Sequence, residues 1–98
     1  MDTDLDRRVR KLQDAILEAI GIEQSYEGMR QELYQSAHKN QVKGKTWSIQ
    51  GFKFLMYIYA QKIDEARETF STASQELREI DRVDALNDVL GIPNEEAV

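Results

Sequence analysis

The residues best equipped for chemistry crowd into one stretch, "SAHKNQVKGKTWSIQGF", residues 36–52. Within it "KGKT", Lys43 to Thr46, has the ending of a phosphate-binding loop. Such a loop needs Gly-x-x-x-x-Gly-Lys-Thr after a buried strand, so that successive backbone N–H groups wrap the phosphates. Here Lys39 stands five positions before Gly44 and no strand pattern precedes it, which argues against a nucleotide site. His38 is the single histidine, and cysteine is absent. A zinc site wants several His or Cys ligands, and a di-iron bundle wants two Glu-x-x-His motifs. Neither set can be assembled, and a thiol nucleophile or disulfide is ruled out as well. Asp2, Asp4 and Asp6 suit a helix start, where the positive end of the macrodipole favours acids. As hydrolytic carboxylates they would need a pocket that a thin helical hairpin does not offer. The inventory predicts no enzyme activity, no cofactor and no metal.

Recognition is what remains. Lys39, Lys43, Lys45 and Lys53, with His38, form a basic cluster around Trp47. The cluster suits an acidic partner or phosphates; it equally suits a solvated loop whose lysines complement carbonyls at a helix end. Trp47 is either a binding anchor, since tryptophan is enriched at hot spots, or a plug packed back on the first helix. The net charge of −5 disfavours duplex nucleic acid, which requires a basic face to release counterions. Apolar residues make up 41% and charged residues 32%. That is the composition of a folded chain. The 98 residues make one domain, 1–98. A chain this short buries only ~60–65% of its unfolded surface, so a partner or self-association surface is expected.

Two long helices must position these groups. The first is predicted over residues 4–38. Thr3 is its N-cap, with Asp6 as an aspartate version of the capping box. Asp4–Arg8 and Asp6–Arg10 stand at i,i+4 in the favourable order. Leu5, Val9, Leu12, Ile16 and Ala19 follow 4-3-4-3 spacing, and Ile22, Tyr26, Met29, Leu33 and Ala37 resume it. The step from Ala19 to Ile22 is three where the repeat wants four, which predicts a local overwinding or kink beside Gly21. Residues 39–47 read as the loop, with Asn40 and Gly44 as turn residues. Thr46 or Ser48 then caps a second helix over 48–90. Its seam is Phe52, Met56, Tyr59, Ile63, Ala66, Phe70, Ala73, Leu77 and Ile80. The spacing is an unbroken heptad repeat, which faces a partner helix. After Ile80, Val83, Leu86 and Leu90 either prolong this helix or form a short third one after a break near 82. Gly91 and Pro93 end the pattern, and 91–98 reads as a flexible acidic tail. The fold class predicted is all-α: an antiparallel helical hairpin associating into a bundle.

Ile49, Phe54, Leu55, Tyr57 and Ile58 lie off the seam. A hairpin alone cannot cover them, and left bare they are an aggregation liability. The sequence therefore predicts a partner surface made of Trp47, Phe54, Leu55 and Ile58, with Lys43 and Lys45 on its rim.

A glycine and a tryptophan in a short central loop, between two long helices of similar length, resemble the WXG100 (ESAT-6-like) superfamily. "VKGKTW", Val42 to Trp47, is similar to the turn of the related LXG domains, with Val42 in place of leucine. Ile49 stands where a WXG motif has glycine, and Leu77 to Asp81 is the nearest match to the family's Tyr-x-x-x-Asp/Glu export signal. The resemblance implies hairpins that pair into four-helix bundles, and a substrate or export partner of type VII secretion. The residues alone fit a cytoplasmic adaptor, inhibitor or secretion chaperone, including a phage-encoded one, equally well. The charged start "MDTDLDRRVRKLQ" has no apolar core of a signal peptide. The longest apolar run, Phe54 to Ala60, is too short to span a membrane. The expected location is the cytoplasm, or outside the cell without a cleavable signal.

Overall fold

The computed structural model describes residues 3–42 and 49–94. It contains three helices: α1, Asp4–Val42; α2, Ile49–Glu79; and α3, Val83–Leu90. Among the described residues there is no strand. The two long helices pack against each other as a hairpin, and α3 folds back on both. The molecule measures 62 × 29 × 21 Å. Its length is that of α1, which has 39 residues. At ~1.5 Å of rise per residue such a helix runs to about 58 Å.

The start of α1 is the capping box read from sequence. The Thr3 N–H donates to Asp6 Oδ2 at 3.2 Å, and the Asp6 N–H donates to Thr3 Oγ1 at 3.1 Å. Asp4 is bridged by Arg7 rather than by the expected Arg8. Arg8 reaches instead across the hairpin to Glu76, at 3.5 Å. The helix also runs four residues past its predicted end at 38. The polar stretch His38 to Val42 holds nothing incompatible with helix, so Asn40 serves as a helical residue. The reversal falls between Val42 and Ile49. Gly44 and the expected caps Thr46 and Ser48 lie outside the described residues.

The phase slip does not end the helix. α1 is one continuous helix through Gly21 and Gly28. From Ala19 a 4-3-4-3-4 run of buried and half-buried positions, Glu23, Tyr26, Arg30, Leu33 and Ala37, flanked by half-buried Ile20 and Glu27, skips Ile22 and Met29. Those two are 36% and 39% exposed, so they are not the seam residues that their spacing predicts. Arg67 of α2 holds the other phase in place. It donates to Glu23 Oε1 at 2.8 Å and to Glu27 Oε1 at 3.2 Å.

Gly21 and Gly28 sit on the open side of α1, where an added Cβ would meet nothing within 4 Å. Alanine at each position should therefore stabilise the helix by ~0.8–1 kcal/mol. The double variant should melt several degrees above the parent by circular dichroism. An unchanged or lower midpoint would mean that these positions are covered in the working protein.

The turn from α2 to α3 is a Schellman motif. The Arg82 N–H donates to the Leu77 carbonyl at 2.8 Å and the Asp81 N–H to the Arg78 carbonyl at 3.1 Å. Asp81 takes the left-handed conformation, φ 60°, that glycine usually supplies; aspartate is among the few other residues that visit it readily. α3 ends the same way at Gly91, φ 69°, as expected from sequence. The second helix of the prediction is thus two, with the break at Asp81–Arg82.

The core sits where three helices meet. Val9 and Ile16 of α1, Ala73 and Leu77 of α2, and Ala85 and Leu86 of α3 form one buried cluster. Phe70 and Ile80 pack against it, half-buried. Farther along, the hairpin is only two helices thick. Ile63, Ala66 and Leu33 are buried there. Tyr26 tilts onto Tyr59 with centroids 5.9 Å apart, and Tyr34 meets Phe52 edge-on at 5.6 Å.

Hydrogen bonds from Thr3 hold the Asp6 carboxyl below its ordinary value of 3.8, and the Arg82 guanidinium does the same to Asp84. Arg82 meets both Asp84 oxygens at 3.0 Å. A depressed carboxyl pKa adds stability above the unfolded-state value and loses it as pH falls through the folded value. The melting temperature should therefore be flat in these two groups from neutrality to about pH 4 and fall below that. Asp6→Asn and Asp84→Asn should flatten the acid limb; an unchanged limb in the double variant would reject the assignment.

Candidate partner surface

The described residues contain no cluster of three or more His, Cys, Asp or Glu side chains placed to hold a metal. No described helix is long and apolar enough to cross a membrane. Among the exposed apolar side chains described, two places stand out.

One is the far end of α2. Phe54 and Tyr57 are each 63% exposed, the most exposed of the large apolar side chains described. Leu55 and Ile58 beside them are half-buried. At ~100° per residue, Tyr57, Phe54, Ile58 and Leu55 follow one another around the helix, covering roughly 160° of its circumference. Tyr57, Phe54 and Ile58 lie about 100° or more from the seam residues Met56 and Tyr59, while Leu55 borders Tyr59 at the edge of the seam. Of the residues predicted for the partner surface, the structure thus brings together Phe54, Leu55 and Ile58. Trp47, Lys43 and Lys45 lie outside the described residues. His38, Lys39 and Lys53 of the basic cluster are exposed.

The second place is a groove between α1 and α2. Its upper part is lined by Ala15, Ala19, Ile22 and Tyr26 from α1, and by Ala66 and Thr69 from α2, with a volume of about 370 Å³. Its lower part, about 470 Å³, runs past Leu12, Thr72 and Ala73. Ala15, Glu65 and Thr69 border both parts, so the groove is continuous. It faces away from α3. On the other flank, Gln13 donates to the Ala85 carbonyl of α3 at 3.0 Å. Nine positions separate Gln13 from Ile22, which places them on opposite sides of α1, about 180° apart. α3 covers one flank of the hairpin and leaves the other bare.

Sequence reasoning misses this groove because it places Ile22 and Met29 in the seam. One signal was present: Ala15, Ile22 and Met29 are seven apart, a stripe of their own beside the stripe Leu12, Ala19, Tyr26 and Leu33. Arg67 is missed as well. Its guanidinium pKa is raised by its hydrogen bond to Glu23 and by the charges of Glu23 and Glu27. All three side chains are at least partly exposed, so this network orients the helices more than it stabilises them.

Comparison of the chain with protein-family models, with curated proteins and with solved structures finds no match.

Proposed function

We propose that this chain is a non-enzymatic interaction module that binds another protein, or a second copy, and so completes a bundle of four or more helices. One observation carries the reading: Phe54 and Tyr57 stand 63% exposed on an otherwise ordered helix, continuous with half-buried Leu55 and Ile58. Large aromatic side chains are costly to leave in water and are favoured anchors at interfaces. Trp47 belongs to the same surface in this proposal, and Lys43 and Lys45 form its rim, where charges steer encounter more than they add affinity.

The resemblance to WXG100 and LXG hairpins supports a setting in type VII secretion, as substrate or export partner. A cytoplasmic adaptor, inhibitor or secretion chaperone is the second reading. It is favoured by α3, which occupies one flank of the hairpin beside the core and leaves the opposite flank open to a partner. A neighbouring gene for a membrane ATPase or an LXG toxin would support the first; phage or host-defence genes would support the second.

Phe54→Ala and Tyr57→Ala are the most direct probes, because little intrachain packing is lost with them. Both should shorten the lifetime of a complex while far-UV helicity stays that of the parent. Leu55→Ala and Ile58→Ala should act in the same direction with some loss of stability. Charge reversal at Lys43 and Lys45 should slow association, more so at low salt. A stable monomer by sedimentation at tens of micromolar, with no partner recovered from its own cell, defeats the proposal.

A further inference from the structure

We infer that the groove on the flank of the hairpin opposite α3 seats a basic amphipathic helix of another protein. The inference rests on the interaction-module reading but concerns a different face from Phe54 and Tyr57.

Shape is the first argument. The floor is made of Ala15, Ala19, Ala66 and Ala73. Alanines let a helix backbone approach closely and offer no side chain that could fill the groove from within. The groove follows α1 from Leu12 to Tyr26. That is about 21 Å of helix, or roughly four turns of a docked one. Apolar exposure is the second argument. Ile22 at 36% and Met29 at 39% continue the Ala15 stripe and have no intrachain seam to enter. A helix with apolar residues at i, i+3, i+4 and i+7 would cover that stripe.

Charge decides the kind of helix. Glu18, Glu65, Glu68 and Glu76 border the groove, against Lys62 alone. Arg8 engages Glu76 from outside it, and Lys62 approaches Glu65 at 3.7 Å. The acidic surplus is then one residue on each wall, Glu18 on α1 and Glu68 on α2. A two-fold pairing of this groove with a second copy uses the same patch twice, and so brings one acidic rim against another. Lysines or arginines flanking an apolar stripe on both sides complement the rim instead.

Two synthetic helical peptides of about 18 residues, long enough for some five turns, test this. They share one leucine stripe; one is flanked by lysine, the other by glutamate. Titration with the full chain, followed by fluorescence anisotropy, should show the lysine peptide binding ~tenfold or more tightly at low salt, the margin shrinking as salt rises. Glu18→Lys with Glu68→Lys should reverse the preference. Thr69→Trp, which fills the groove from an exposed position, should abolish binding of both peptides with helicity unchanged; if that variant fails to fold, the charge-reversed pair decides alone. Equal affinity for the two peptides, or saturable binding of neither, overturns the inference. So does a self-dimer that Thr69→Trp dissociates, because the occupant would then be a second copy. If neither peptide binds while Phe54→Ala still shortens a complex, the groove inference fails and the interaction module stands. If no complex forms at all, both fail.

Discussion

Leu77→Ala is expected to lower the unfolding free energy by ~2–5 kcal/mol, the range for a leucine removed from a core that cannot fully collapse. Leu77 is fully buried, at 0% exposure, and belongs to the cluster where all three helices meet. Its neighbours there include Val9, Ile16, Ala73, Ala85 and Leu86, so a void at this point is walled by every helix. A chain of this size loses roughly 4–8 °C of melting temperature per kcal/mol. The variant should therefore melt at least about 8 °C below the parent. Phe70→Ala, at a half-buried position, should fall in the same direction by less than its full truncation value. Phe54→Ala should stay within about 0.5 kcal/mol in a monomeric sample, as exposed substitutions do. Urea transitions with equal slopes give all three comparisons. A Leu77→Ala curve that overlays the parent would reject the register of the hairpin.

Leu86→Asp should be nearly as damaging, and more local. Leu86 is 3% exposed and docks α3 on the hairpin together with Ala85, at 1%. An unpaired carboxylate is not tolerated there, because burying a charge without a partner is strongly unfavourable. The easier response is release of α3. A helix of 8 residues does not sustain itself in water, so undocking and unwinding should coincide. Hydrogen exchange should show residues 83–90 losing protection while residues 50–70 of α2 keep theirs. Stability of the whole chain should fall by ~2–5 kcal/mol, comparable to deleting a buried leucine. Leu86→Met, close in volume, should cost less than ~1.5 kcal/mol and retain the protection. Loss of protection throughout the hairpin instead would show that α3 is part of a single cooperative unit.

Much of the fold was legible because its signals are local. A helix start needs only the reciprocal bonds of Thr3 and Asp6, which are close neighbours in the chain. Gly91 ends α3 by its own conformational freedom. The seam of α2 is a strict heptad repeat, and Ile63, Ala66, Ala73 and Leu77 on it are buried. The end of α2 was less legible. Asp81 takes the left-handed position without the glycine that would have announced it, so only the loss of clean heptad phase after Ile80 hinted at a break. Of the candidate surface, Phe54, Leu55 and Ile58 were recognisable as off-seam residues, while the groove was not.

Segment by segment, the chain already specifies two long amphipathic helices, the start of α1, the end of α3, and the stripe of α2 that turns inward. Periodicity and capping chemistry are properties of single segments, and a single segment carries them. The phase of α1 beyond Ala19 came from packing. Hydrophobic spacing alone draws Ile22 and Met29 inward; the continuous helix, with Glu23 and Glu27 reaching Arg67, keeps them out. Packing also set which flank α3 covers, and hence which flank stays open. Both outcomes depend on how one helix meets another across a long stretch of chain, as in the pairs Glu23–Arg67 and Gln13–Ala85. A pattern within either helix contains no record of that meeting, because packing a residue against a distant neighbour is a property of the pair.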